Sequence, residues 1–237
     1  MSDKFSRTQA MIGKDAMDKL ASAKVCIFGI GGVGSYALES IARAGIGSII
    51  IADHAVIDQT NINRQLIALE STVGTPKTRA AAIRIKDINP NISLTEVNEF
   101  VNSENVSSII PEDTDYIVDA IDSVSSKLAL IEFADKMNIP IISCMGTGNK
   151  MHPEKFQISD IYKTSVDPLA RVMRSELKKR GIKKLRAVWS DETPVISGDM
   201  LPVNSEGKKV PASISYVPAS AGLLMASEVV NTLTGCK

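Results

Sequence analysis

Three side chains, Arg64, Lys77 and Asp122, could together handle a phosphate group. Arg64 closes the amide-rich run DQTNINRQ (58–65), which has no glycine to turn on and no aliphatic pair to pack. Lys77 follows Thr75-Pro76 at what reads as the first turn of a helix, with Thr75 as N-cap. A cation there meets the positive end of the helix dipole and is mildly disfavoured. A bound phosphate would reverse that sign. Asp119 and Asp122, in VDAID, fall at the end of a predicted strand. Open α/β sheets bind ligands at that edge. Asp122 could share Mg²⁺ with phosphate oxygens, since a hard cation takes both kinds of oxygen. Two cations and an acid do little for hydride transfer but suit a triphosphate, where charge builds on the α-phosphate as pyrophosphate departs. Asn61 and Asn63 would fix the loop or bond phosphate oxygens. Blander readings stand beside these: a solvated surface lysine at 77, and a helix cap at Asp122, where Ser123 would serve equally.

The elements that must position these groups alternate. KVCIFG (24–29) reads as a strand running into the turn GIGGVG (29–34), which opens a helix stopped near Gly45. Gly29, Gly31, Gly32 and Gly34 allow a tight turn and let a phosphate approach free N–H groups at the helix start. SIIIAD (48–53) is a second strand, and Asp53 at its end is placed to bond ribose hydroxyls. The alternatives are glycines that serve only close packing, and Asp53 as a turn residue. A helix over 75–88 ends at Asn89-Pro90. ISLTEV, DYIVDA (115–120) and IPIISCMG read as further strands, with a helix over SSKLALIEFADKMN. The series predicts an α/β, Rossmann-like, mostly parallel sheet with helices on both faces. After Gly148 the rhythm changes to a C-terminal strand/helix extension: a strand at KFQISDI, an amphipathic helix over DPLARVMRSELKKRG, a strand at LRAVWS, a loop over 191–212 and a buried helix over 218–234. One domain over 1–237 is expected, with a nucleotide-binding core about 20–148 and a substrate-side extension about 149–237. No GxxxxGK[ST] occurs, so this is no P-loop enzyme.

Composition sets outer bounds. The 237 residues are 44% hydrophobic and 23% charged, with zero net charge, so no whole-molecule field draws the protein to nucleic acid or membrane. One local run does carry charge: ELKKRGIKKLR (176–186) holds Lys178, Lys179, Arg180, Lys183, Lys184 and Arg186 against one glutamate. It reads either as a tRNA-contacting patch or as a solvated helix face. Cys26, Cys144 and Cys236 form no CxxC pair, which argues against a four-cysteine zinc site and suits a reducing compartment. Cys144, next to MGTG, is either a core thiol or a nucleophile; Cys26 reads as core and Cys236 as exposed. His54 and His152 are isolated and make no metal site. The N-terminal MSDKFSRTQA lacks an apolar signal core and no apolar run reaches 18 residues, so a cytoplasmic protein without stable membrane insertion is expected.

In order and spacing, GIGGVG, Asp53, TNINRQ, GTPK and DAID resemble the ubiquitin-activating-enzyme-like superfamily, over roughly residues 5–150. The resemblance implies carboxylate adenylation with ATP and Mg²⁺, and ATP contacts at Gly32, Asp53, Asn61, Arg64, Lys77 and Asp122. It implies a further arginine from an N-terminal helix, here Arg7, reaching the site of a neighbouring subunit in a homodimer. SDIYKTSVDPLARVMRSELKKRGI and VPASAGLLMASEVV resemble a branch that activates the threonyl carboxylate of modified adenosine 37 in tRNA and closes it into a ring with net loss of water. Asp167 stands where some relatives have cysteine, so no thiol chemistry is assigned there. A monovalent cation near the site belongs to the same implication, without a nameable ligand; no sulfur or redox partner is identified. The competing functions are adenylation of the C-terminal Gly-Gly of a small sulfur-carrier or ubiquitin-like protein, disfavoured by the missing CxxC pairs, and a nucleotide-sensing module without activation chemistry.

Overall fold

The computed structural model describes residues 4–195 and 210–236. Seven strands are present: β1 (Lys24–Phe28), β2 (Ser48–Ala52), β3 (Ser93–Val97), β4 (Tyr116–Asp119), β5 (Ile141–Cys144), β6 (Phe156–Asp160) and β7 (Arg186–Ser190). They form one sheet in the order β3-β2-β1-β4-β5-β7-β6. All neighbours pair in parallel except β6 with β7. The expected sheet is therefore present, and the extension's two strands continue it rather than forming a sheet of their own. The order reverses between β1 and β4, whose carboxyl ends open a crevice of the kind that takes ligands.

The central strands β1, β2, β4 and β5 are short apolar runs buried on both sides, as parallel strands covered by helices must be; the edge strands β3 and β6 are more exposed. Side chains alternate between the two faces. Val25, Ile27, Ile49 and Ile51 point to one face, where they meet Leu38 and Ile41 of α3 (Gly34–Ala44), Ala81 and Ile85 of α4 (Lys77–Ile88), and Met225 and Val229 of α8 (Tyr216–Thr234). Cys26, Phe28, Ile50 and Ile117 point to the other, against Leu130 and Ala134 of α6 (Val124–Met137) and Val106 of the four-residue α5 (Val106–Ile109). Ala187 and Trp189 of β7 share that second face with Met173 and Leu177 of α7 (Pro168–Lys179). Each isoleucine buried in this way contributes about 1.5–3 kcal/mol.

The remaining helices, α1 (Ser6–Ile12) and α2 (Lys14–Ser22), precede β1. Only the first is foreshadowed in the sequence. Within α2 just Ala16 and Leu20 are buried, and α5 spans a single turn, too short for a periodic signal.

Some helix ends follow local chemistry and one departs from it for a long-range reason. Gly45 closes α3 in the left-handed conformation, φ 101°, a position glycine takes without a Cβ penalty. Asp167 caps α7 by accepting from Ala170 N at 2.8 Å. Thr75, however, does not cap α4; Pro76 holds that position, with no side-chain cap bond. The reason is long-range. Ile57 N donates to Thr75 O and Lys77 N to Ala55 O, so residues 75–77 are held extended against 55–57 until the helix begins at Lys77.

The buried C-terminal helix is confirmed, beginning at Tyr216 rather than at residue 218. Gly222 makes its approach to α3 feasible: a Cβ there would lie 2.3 Å from Val33 O. No helix among the described residues is long and apolar enough to cross a membrane. Most of the 191–212 loop lies outside the described residues. At its described ends Val195 N donates to Asn149 O and Ala212 N to Asn149 Oδ1, at 2.7 and 2.8 Å.

Candidate functional site

The turn between β1 and α3 divides its glycines by purpose. Gly29 has φ +83°, and a Cβ there would lie 2.7 Å from Ala120 O. A Cβ on Gly34 would lie 1.7 Å from Gly29 O. These two are demanded by close packing. Gly32 is intermediate, with Pro218 and Arg64 atoms 3.3–3.4 Å away. Gly31 is different: its nearest neighbour would be Gln65 Nε2 at 4.0 Å. The protein's own atoms do not require a glycine at 31, whereas a ligand approaching the backbone would. No side chain caps the start of α3; Ser35 N donates to Gly31 O at 3.0 Å, and the other N–H groups of the first turn are available to an anion.

Asp53, just past β2, staples this turn. Its Oδ2 accepts from Ile30 N at 2.7 Å and its Oδ1 from Ala55 N at 2.8 Å. The carboxylate therefore shapes the loop, and each oxygen keeps a lone pair for a ribose hydroxyl.

The run 58–65 folds as a 3-10 turn over Gln59–Asn61 closed by a capping box. Asp58 accepts from Thr60 N, and Asn61 Oδ1 accepts from Asp58 N. Asn63 donates to Ser213 O at 3.0 Å and accepts from Arg64 Nη1 at 2.8 Å. The two asparagines thus fix the loop. Arg64 also donates to Thr60 O at 2.9 Å. It is half-buried, and burial pushes its guanidinium below the ordinary value. Among the described residues it has no carboxylate partner.

Lys77 opens α4 one residue beyond the bridge between Val56 and Pro76, and has no side-chain partner among the described residues. Asp122 is exposed and likewise unpartnered. Ser123, not Asp122, is the N-cap of α6. Asp53, Arg64, Lys77 and Asp122 thus stand on the loops at the carboxyl edge of the sheet around the glycine turn.

Arg7 is not among them. Phe5 packs 3.8 Å from a Cβ built on Gly45, and Lys4 donates to Asn89 Oδ1 at 2.8 Å. Both partners cap the far ends of α3 and α4, so α1 lies near the opposite edge, roughly 16 Å from the turn by the length of α3.

The match to known proteins spans the same elements. The ThiF family profile covers residues 5–237. The chain belongs to the ThiF family. It is 40% identical to the tRNA threonylcarbamoyladenosine dehydratase of Bacillus subtilis, over 98% of this chain and 95% of that one. It is 41% identical to the enzyme of the same name from Escherichia coli, over 74% of this chain and 65% of that one. The crystal structure of E. coli tRNA N6-threonylcarbamoyladenosine dehydratase, TcdA, in complex with ATP superposes with TM-score 0.90 at 34% identity, covering 98% of this chain and 94% of that one.

In this ThiF-family chain the companion acid, Asp119, does not face the crevice. It is fully buried against Lys127, whose Nζ donates to Asp119 Oδ2 (3.0 Å), Ser143 Oγ (3.0 Å) and Cys144 O (2.7 Å). Ser143 Oγ donates to the same carboxylate oxygen at 2.6 Å, and Asp119 Oδ1 accepts from Ile121 N at 3.2 Å. The network ties the carboxyl ends of β4 and β5 together beneath Asp122. The sequence analysis misses Lys127. Its signal is a lysine inside the apolar stretch SKLALI, eight residues after an aspartate in a buried strand. A second buried pair, Lys150 with Asp167 at 2.8 Å, was missed for the same reason.

Cys144 is buried, and burial pushes its thiol up to about 12, which leaves no thiolate for nucleophilic work at neutral pH. Cys26 is core, at about 11 for the same reason. Cys236 is half-buried rather than exposed. His152 lies in a loop beside Glu154, and His54 packs edge-on to Phe100 at 5.1 Å between centroids. No cluster of three metal-ligating side chains occurs among the described residues.

The basic run is partly neutralised by its surroundings. Lys179 and Arg180 pair with Glu176, Arg180 also with Glu132, and Arg186 with Glu228 of α8. Lys178, Lys183 and Lys184 are exposed without a partner among the described residues. Lys178 is in the last turn of α7 and Lys183 and Lys184 lie between α7 and the start of β7, at the amino edge of the sheet.

Proposed function

We propose that this chain is an ATP-dependent tRNA threonylcarbamoyladenosine dehydratase, acting in the cytoplasm as a single adenylating domain. It adenylates the threonyl carboxylate of threonylcarbamoyladenosine 37 in tRNA, and the activated group then cyclises with release of AMP and pyrophosphate. The observation that carries this reading is Arg64: a half-buried guanidinium beside the glycine turn whose partners among the described residues are neutral oxygens. A desolvated cation without a counter-ion is costly, and a nucleotide phosphate would supply the charge. The full-length likeness to dehydratases, with no CxxC pair in the sequence, favours this reading over adenylation of a carrier protein.

In the first step a carboxylate oxygen attacks the α-phosphorus of ATP and pyrophosphate leaves. The substrate's carbamoyl group then displaces AMP from the acyl carbon within the same molecule. Intramolecular attack of this kind can be worth about 7–11 kcal/mol, so no enzyme nucleophile is needed, in keeping with a buried Cys144. Arg64 and Lys77 neutralise charge on the phosphates. Asp53 orients the ribose while holding Ile30. Gly31 and the start of α3 accept the phosphate. Asp122, exposed and free of protein partners, fits a ligand of Mg²⁺ bound mostly through phosphate oxygens and water; that ion would spread phosphate charge. Arg7, remote from its own chain's turn, would serve a second copy in a homodimer. Lys178, Lys183 and Lys184 would meet tRNA phosphates away from the reacting nucleotide.

ATP–pyrophosphate exchange tests this, run in parallel with bulk modified tRNA and with a carrier protein ending in Gly-Gly. Exchange is expected with tRNA only. Arg64→Ala and Asp122→Ala should lower it about a hundredfold or more, the usual cost of removing one preorganised charge-stabilising group. Near-normal rates in both variants would sink these roles, and exchange with the carrier alone would sink the substrate.

A further inference from the structure

Gln65 follows Arg64 but turns into the protein, 7% exposed. Its backbone is fully accounted for: N–H donates to Asn61 O at 2.9 Å and C=O accepts from Ala68 N at 3.0 Å. Its carboxamide is not. Oε1 is buried with no hydrogen-bond partner, and among the described residues Nε2 donates to none. Buried polar groups are nearly always paired, and an orphan calls for a physical reason. The Nε2 end lies toward Gly31. Nε2 lies 4.0 Å from the point a Cβ on Gly31 would occupy, and no other atom comes as close. That is also the single glycine of the turn whose missing side chain the protein's own packing does not require.

We infer that Gln65 is a further nucleotide-binding residue, whose carboxamide Nε2–H donates to a phosphate oxygen seated against Gly31. This rests on the nucleotide reading of the turn proposed above. Arg64 and Gln65, adjacent in sequence, then approach the phosphates from two sides: one as a charge, the other as a neutral donor in a desolvated position. A neutral amide adds no net charge, so it fixes where the phosphate lies at little cost to release of AMP. A bound phosphate takes up the free Nε2–H, whereas Oε1, itself an acceptor, gains no partner from it.

The test is ATP binding to the full chain by calorimetry, together with the thermal midpoint of the ligand-free protein, for wild type, Gln65→Met and Gln65→Glu. Methionine keeps the length and removes the orphan, so the ligand-free midpoint should hold or rise. ATP affinity should fall roughly ten- to a hundredfold, the scale of a hydrogen bond to a charged group. Glutamate should weaken ATP further by repelling phosphate. Should Gln65→Met not fold, Gln65→Asn, which shortens the reach and keeps the amide, carries the same expectation for affinity. Wild-type affinity in the folded variants would overturn the inference and leave Gln65 a structural orphan. No ATP binding by the wild type would instead overturn the nucleotide reading itself.

Discussion

Replacing Lys127 with methionine should be among the most destabilising single changes in this protein. Lys127 and Asp119 have no side-chain exposure. All three ammonium protons are used, on Asp119, Ser143 and Cys144 O. Methionine matches the stem in length but leaves the Asp119 carboxylate buried with only Ser143 Oγ and Ile121 N as donors. Breaking a buried ion pair from one side typically costs about 3–5 kcal/mol, because the remaining charge can neither pair nor reach water. That is about a fifth or more of the total stability of an ordinary domain. Removing both charges avoids most of the penalty, so Lys127→Met/Asp119→Leu should be more stable than the sum of the single changes predicts. Urea unfolding followed by circular dichroism, extrapolated linearly, gives these values. A loss below about 1 kcal/mol in Lys127→Met, or strict additivity in the double variant, would refute the argument that a desolvated carboxylate sets the cost.

Glu39 of α3 is clasped by Arg84 of α4 and by Arg43. Burial alone would push its carboxyl up, but hydrogen bonds and charge from the two arginines outweigh this and hold it below the usual carboxylate range. Its stabilisation is therefore complete above the unfolded-state value and is lost as the pH falls through the lower folded value; Glu39→Gln should flatten the acid limb of a stability–pH curve, and an unchanged limb would remove the assignment. Cys144, held protonated by burial, should resist iodoacetamide in the native state while Cys236 reacts, and Cys144→Ser should keep full activity; mass mapping and the exchange assay report both. Neutralising Lys178, Lys183 and Lys184 together should flatten the salt dependence of tRNA binding by roughly two units of log–log slope if each meets a phosphate. An identical slope would make the run an ordinary solvated face.

Much of the frame is legible in the sequence because it is set by neighbours in the chain. A run such as KVCIF followed by GIGGVG has few backbone options. The alternation of apolar strands and amphipathic helices leaves little choice but a covered parallel sheet. Where local rules met a distant partner they failed. Thr75 is a sound N-cap by type, yet its segment pairs with 55–57 and the helix starts later. The basic run looks like one patch, yet Arg180 and Arg186 are spent on Glu132 and Glu228, one from each face of the sheet.

What the sequence by itself determined is the chemical repertoire: a glycine turn, Asp53 at a strand's end, and Arg64, Lys77 and Asp122 on successive loops. What only the tertiary structure decided is how each polar group is spent. Asp119 and Asp122, three residues apart, have opposite fates, the first locked at 3.0 Å to a buried lysine and the second open to the crevice. Arg64 and Gln65, adjacent in the chain, divide in the same way between a half-buried charge and a buried amide whose Oε1 has no partner. Desolvation is the physical reason. A side chain's chemistry depends on which surfaces close around it, and those surfaces come from elements far away in the chain.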